Sequence, residues 1–151
     1  MSDFFSGLKT LFLIMVFGNT ITLTPSPVDM GASSRLVFNL EKPAKVVTGG
    51  AYLSVDVTSM RPAHIDSRED TRKWADEVFG ERSISATLIN TSSGDTAKVY
   101  QRGGIAITST GLRLFLRKNG GLERGKTYDR IIVETEVELH GVTMHWTNSM
   151  M

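Results

Sequence analysis

The amino-acid sequence predicts an all-β protein, an antiparallel sandwich of about eight strands with one short helix around residues 66–79. Three observations carry this expectation. Between Leu112 and Thr147 three runs alternate apolar and polar residues at the two-residue period of a strand. Fourteen glycines stand against four prolines, and several runs are rich in Thr, Val and Ile, which makes a turn-rich chain. Only one stretch combines helix-start with helix-stop chemistry.

A chain of 151 residues is one domain by size, with room for a single good core. Seventeen basic and sixteen acidic residues leave a net charge of +1. Such balance speaks against duplex nucleic acid as a partner, because that association needs a concentrated basic surface to displace counterions. With no cysteine there is no disulfide, no thiol chemistry and no cysteine-ligated zinc, so packing alone must hold the core.

Taken in order, the chain opens with the apolar run Leu11–Phe17, behind Lys9 and the free amine. The run is too short to span a bilayer as a helix and has the length of a signal-peptide apolar region. Residues 1–18 are therefore expected to be a signal peptide cleaved after Gly18, with a core strand and an uncleaved anchor as the alternatives. Residues 19–34 are polar and broken by Pro25 and Pro27, and read as a linker or irregular edge segment. Residues 35–148 are expected to be the sandwich domain. Leu36, Phe38 and Leu40 mark its first strand, which Pro43 should end. Leu53, Val55 and Val57 mark another strand, with Tyr52, Ser54 and Asp56 on its other face. For the helix, Asp66 with Glu69 resembles a capping box, Thr71, Trp74, Ala75 and Val78 recur at helical spacing, and Gly80 suits the C-terminal turn. Ser83–Ile89 and Thr96–Gln101 flank the turn cluster Asn90–Asp95, and Ile105–Thr108 follows.

The segment from Leu112 onward organises the rest. With His140-Gly141 as a two-residue hairpin, Val137 faces Met144 and Thr135 faces Trp146. Pairing Leu114 with Val133 then sets Leu116 beside Ile131 and Arg113 beside Glu134. One face is apolar throughout, and each buried residue on it contributes roughly 1.5–3 kcal/mol before entropy is subtracted. The same register puts Phe115 opposite Ile132 on the other face, framed by Arg113, Arg117, Arg130 and Glu134. An apolar centre with an arginine rim has the composition of a recognition patch. The competing expectation is that the helix covers this face and the pair is core.

Other constellations point to no chemistry. Glu134, Glu136 and Glu138 are expected on one strand face, as a solvated row paired with Arg113 and His145. His140 and His145 have odd spacing, which sends them to opposite faces, so no metal site is expected. There is no Gly-x-Ser-x-Gly elbow and no phosphate-binding glycine motif. No catalytic residue, cofactor or enzyme activity is expected.

The closing pattern, Gly125–Thr135 followed by His140–Asn148, resembles the last strands of small exported bacterial immunoglobulin-like domains. That resemblance covers about a quarter of the chain and implies an immunoglobulin-like sandwich and a periplasmic or secreted location, but no site residue. Two functions are open: an exported, non-enzymatic module that binds a protein, an inhibitor or immunity-type protein being one form, and a carbohydrate-binding or glycan-acting domain of the cell envelope. The first needs a contact face, for which Arg113, Phe115, Arg117, Arg130, Ile132 and Glu134 are the candidates. The second needs a platform of Tyr52, Tyr100, Tyr128 or Trp146, which are dispersed.

Overall fold

Wherever apolar residues recur at every second position, the chain is extended and paired. The computed structural model describes residues 19–80, 83–102, 105–108 and 111–148, so the expected signal peptide at 1–18 lies outside the described residues. The strands are β1 (Asn19–Thr22), β2 (Val28–Met30), β3 (Ser34–Lys45), β4 (Tyr52–Asp56), β5 (Ile84–Ile89), β6 (Thr96–Gln101), β7 (Ala106–Thr108), β8 (Gly111–Arg117), β9 (Thr127–Thr135) and β10 (Leu139–Asn148). They form one antiparallel sheet in the order β1-β10-β4-β8-β6-β5-β9-β3, with β2 also on β10 and β7 also on β8. The protein is all-β, and the sheet nearly closes into a barrel-like shape. Its interior is lined by Leu53 and Val55, by Leu112, Leu114 and Leu116, by Ile131 and Val133, and by Val142, Met144 and Trp146, all buried.

The expected register of the C-terminal half is not the one that forms. β8 pairs with β4, β6 and β7, so Leu114 faces Val55, not Val133. β9 lies between β3 and β5, where Val133 faces Leu36 and Ala86. The strand faces were right, but Val55, Leu36 and Ala86 are distant in sequence from the residues they meet, and alternation alone carries no information about which strands pair.

The His140-Gly141 hairpin does not form either, and the reason is local. β9 ends at Thr135, whose buried hydroxyl donates to the carbonyl of Val137 and accepts from its amide, at 2.7 and 3.2 Å. This turns the chain away before β10 begins. Gly141 does have positive φ, +61°, but it sits inside β10 at a bulge opposite β2, between Leu139 and Val142. Its amide donates to Asp29 Oδ1 at 2.8 Å, while Ser59 Oγ donates to the carbonyls of His140 and Gly141. Glu134, Glu136 and Glu138 consequently do not share one strand face.

Two boundaries also differ. The helix α1 spans Arg68–Val78, and its N-cap is Ser67, whose hydroxyl accepts from the Asp70 amide at 3.1 Å. Asp66 is one residue too early to cap it. β3 runs through Pro43, which an edge strand tolerates because the missing N–H need not serve a ladder. Thr71, Ala75 and Phe79 are buried, and Trp74 meets the Phe79 ring edge-on at 5.7 Å.

Candidate functional site: a cation and aromatic face on the outside of the sheet

The outward positions of β4, β8 and β10 form adjacent rows. Asp56 lies between Thr143 and Arg113, and Ser54 between His145 and Phe115. One step along, Tyr52 lies beside Thr147, and Arg117 is the ladder partner of Tyr100 on β6. The Arg117 guanidinium sits over the Tyr52 ring at 4.9 Å and the Phe115 ring at 5.2 Å, while those two rings meet edge-on at 5.0 Å. Each such contact contributes about 0.5–1.5 kcal/mol and holds a long side chain in one place. Lys98 lies over Tyr100 at 5.5 Å, extending the same pattern onto β6. Arg102, Phe115, Arg117 and Lys118 line one open cleft of about 400 Å³.

Of the six residues expected to share a patch, three are here. Arg113, Phe115 and Arg117 alternate along β8. Arg130, Ile132 and Glu134 alternate along β9, and β6 and β5 lie between the two strands. Ile132 faces Val37 and Thr87 on its neighbours, Glu134 faces Arg35 and Ser85, and Arg130 Nε donates to Asn39 Oδ1 at 2.8 Å. Phe115 therefore meets Tyr52, not Ile132. Tyr52 was visible in the sequence as the outward partner of Ser54 and Asp56, but only the β4–β8 pairing, across some sixty residues, brings it to Phe115.

His145 and Arg113 give the face an unusual electrostatic edge. His145 Nδ1 and Arg113 Nε are both buried without a hydrogen-bond partner. Burial, and then the Arg113 guanidinium, hold His145 below the usual histidine range, against an opposite pull from Asp56. Asp56 is engaged elsewhere, since its Oδ1 accepts from the Thr58 amide and hydroxyl at 2.9 and 2.6 Å. The positive character of Arg102, Arg113, Arg117 and Lys118 is thus opposed on these rows by the carboxylate of Asp56, one oxygen of which is held by Thr58.

A second depression of about 570 Å³ lies where β3 and β5 begin and β9 ends, lined by Ser34, Arg35, Ser85, Glu134, Thr135 and Glu136 among others. It has hydroxyls and carboxylates but no aromatic ring. His140 lies 3.5 Å from Glu138, both exposed. Among the described residues no group of three His, Cys, Asp or Glu is placed to hold a metal ion. No described helix is long and apolar enough to cross a membrane.

No protein-family model matches this chain, and neither a curated protein nor a solved structure matches it.

Proposed function

We propose that this protein is a non-enzymatic binding module that recognises a partner protein through the outer face of β4 and β8. The observation that carries the reading is the Arg117 guanidinium held over Tyr52 and Phe115, with Arg102 and Lys118 on the same cleft. Pre-ordered arginine and aromatic side chains are the usual anchors of a protein interface, because they lose little freedom on binding. The charge of the face favours an acidic partner segment, whose carboxylates Arg102 and Arg117 can engage in pairs of hydrogen bonds. Nucleic acid is the weaker fit, because Arg117 already occupies faces of Tyr52 and Phe115 that a base would need for stacking. An inhibitor or immunity-type protein is one form this activity takes. The export reading and the kinship with exported immunoglobulin-like sandwiches belong to the same proposal, supported by the apolar run Leu11–Phe17 ahead of β1.

The test is affinity capture from periplasmic and envelope extracts, with the captured protein then titrated by calorimetry against wild type and Arg117→Glu. Binding to an acidic protein should weaken at least about tenfold in the variant and fall as salt rises, while the unfolding midpoint drops by no more than the loss of the two ring contacts accounts for. Equal binding by Arg117→Glu would remove this face from the function. A glycan reading is favoured by the hydroxyl- and carboxylate-lined cleft at Ser34, Ser85 and Glu134. Retention on envelope polysaccharide, lost in Glu134→Ala but not in Arg117→Glu, would replace the first reading with that one.

A further inference from the structure

β3 ends the strand order, so one of its edges is paired with β9 and, among the described residues, no strand ladders onto the other. The alternation of hydrogen bonds shows which backbone groups that open edge carries. The Glu136 amide donates to the Ser83 carbonyl at 2.8 Å, which makes that pair hydrogen-bonded and, two residues at a time, directs Glu134, Ile132 and Arg130 towards β5. Thr135, Val133 and Ile131 must then point their backbone groups at β3, where they face Ser34, Leu36 and Phe38. The N–H and C=O groups of Arg35, Val37 and Asn39 are left on the open edge. Side-chain burial alternates without a break from Ser34 to Glu41, so the strand stays regular to that point, and the register shift against β9 falls between Asn39 and Ala44.

The side chains along this edge are incompletely covered as well. Leu36, Phe38 and Leu40 face the interior but are only half-buried, and Val37 on the outside, 44 % exposed, is the one large hydrophobic residue exposed among those described. An open edge flanked by apolar residues is a template for another strand.

We infer that this edge pairs with β3 of a second copy of the chain, antiparallel about a two-fold axis at Phe38. The sequence is self-complementary in that register and only there. Arg35 meets Glu41 of the other copy, Leu36 meets Leu40, Val37 meets Asn39, and Phe38 meets itself. The hydrogen-bonded pairs fall on the odd-numbered residues, those whose groups are on the open edge, and give about eight backbone hydrogen bonds. Phe38 is then a non-hydrogen-bonded pair, the closer of the two kinds, with its side chain packed against its own symmetry mate inside the seam. Shifting the axis by one residue either way sets Arg35 against Asn39 or Pro43 and loses the ion pair. Pro43 stops the pairing beyond Glu41, and because the two-fold contact uses the open β3 edge of both copies it closes at two and does not extend the sheet further.

Amide exchange and sedimentation on the full chain test this directly. At rising concentration the sedimenting species should pass from monomer to dimer, and the amides of Val37 and Asn39 should become protected in step, while those of Leu36 and Phe38 stay protected throughout. Arg35→Glu and Glu41→Arg should each be monomeric, because like charges then meet at both ends. Their equimolar mixture should recover the dimer, since in the mixed pair an acidic side chain faces a basic one at each end of the seam. A chain that stays monomeric at every concentration overturns the proposal. So does protection of Val37 that is independent of concentration, which would mean the chain covers its own edge, and so does a dimer in which Val37 exchanges freely. Should either charge variant unfold, the concentration dependence of the wild-type amides decides alone.

Discussion

Trp146 sits inside the sheet between Leu53 on β4 and Ile21 on β1, and its indole nitrogen has no hydrogen-bond partner. The ring is therefore held by packing alone, and the two parts of its contribution separate by substitution. Trp146→Ala should cost about 3–5 kcal/mol, the range for truncating a buried aromatic. Trp146→Phe keeps most of the apolar contact and removes an unsatisfied donor, so it should cost clearly less. Denaturant midpoints at constant slope measure both, and a loss below about 1 kcal/mol for the alanine variant would contradict the burial. His145, on the opposite face of the same strand, makes a different kind of contribution. Its folded value lies below the ordinary one, so the unfolded chain takes up the proton first as pH falls. The stability it contributes is complete above about pH 6.5, the ordinary value, and is lost as pH drops through the folded value. Melting temperature should decline from pH 7.5 to 5.5, and His145→Asn should flatten that decline. Asp95, bonded to Lys126, and Asp129, bonded to Thr91, are held below the carboxylate range, so they act in a more acidic window and do not blur the test.

At the scale of single elements, Gly141 shows how a correct reading of a residue leads to a wrong element. A glycine with positive φ was expected and is present, but it opens a bulge in β10 where a turn was foreseen. A Cβ there would lie 2.9 Å from Ser59 Oγ, the hydroxyl that bridges the carbonyls on either side of the bulge. Gly141→Ala should cost roughly 1–3 kcal/mol through backbone strain and loss of this bridge, and Ser59→Ala should relieve the clash without restoring the bond. Thermal melts of the two single variants and the double variant would measure the coupling; strict additivity would mean that Ser59 does not hold the bulge. The wider pattern follows from the same physics. From β3 onward, strand existence, strand faces and the helix stripe were legible because each is set by the spacing of residues near in sequence, whereas residues 19–34, read as a linker or irregular edge segment, carry β1 and β2, both paired with β10. The single-residue slip from Asp66 to Ser67 at the cap of α1 is of the same local kind. Partner choice was not legible: Leu114 meets Val55 and Val133 meets Leu36 because of which strands close the sheet, and many apolar strands would suit either. The candidate face was accordingly half legible. Arg113, Phe115 and Arg117 belong together along one strand, whereas Tyr52 and His145 join them only through non-local pairing.

For the molecule as a whole, the sheet closes where strand ladders do not reach. Asn148, at the end of β10, is buried, and its Nδ2 donates to the Lys45 carbonyl at 2.9 Å while its Oδ1 accepts from the Val47 amide at 3.0 Å. One side-chain amide thus imitates a strand rung and ties the β10 side of the sheet to the end of β3, the strand at the opposite end of the order. At its other end β3 is joined to β2 by the short turn through Gly31 and Ser33, so the open edge between these two points is anchored at both ends. This arrangement gives Asn148 a role that exceeds two ordinary hydrogen bonds. Asn148→Leu preserves volume but leaves the Lys45 carbonyl and the Val47 amide without their partner, at a cost of roughly 1–3 kcal/mol. Asn148→Asp keeps the acceptor for Val47 and places a carboxylate oxygen against the Lys45 carbonyl, so it should recover little of that loss. The distinguishing readout is local. In Asn148→Leu the Val47 amide should exchange faster by more than the drop in global stability accounts for, while amides in β8 slow or quicken only with the global value. If Val47 remained as protected as in the wild type, the seam would be held by the chain following β3 and not by Asn148.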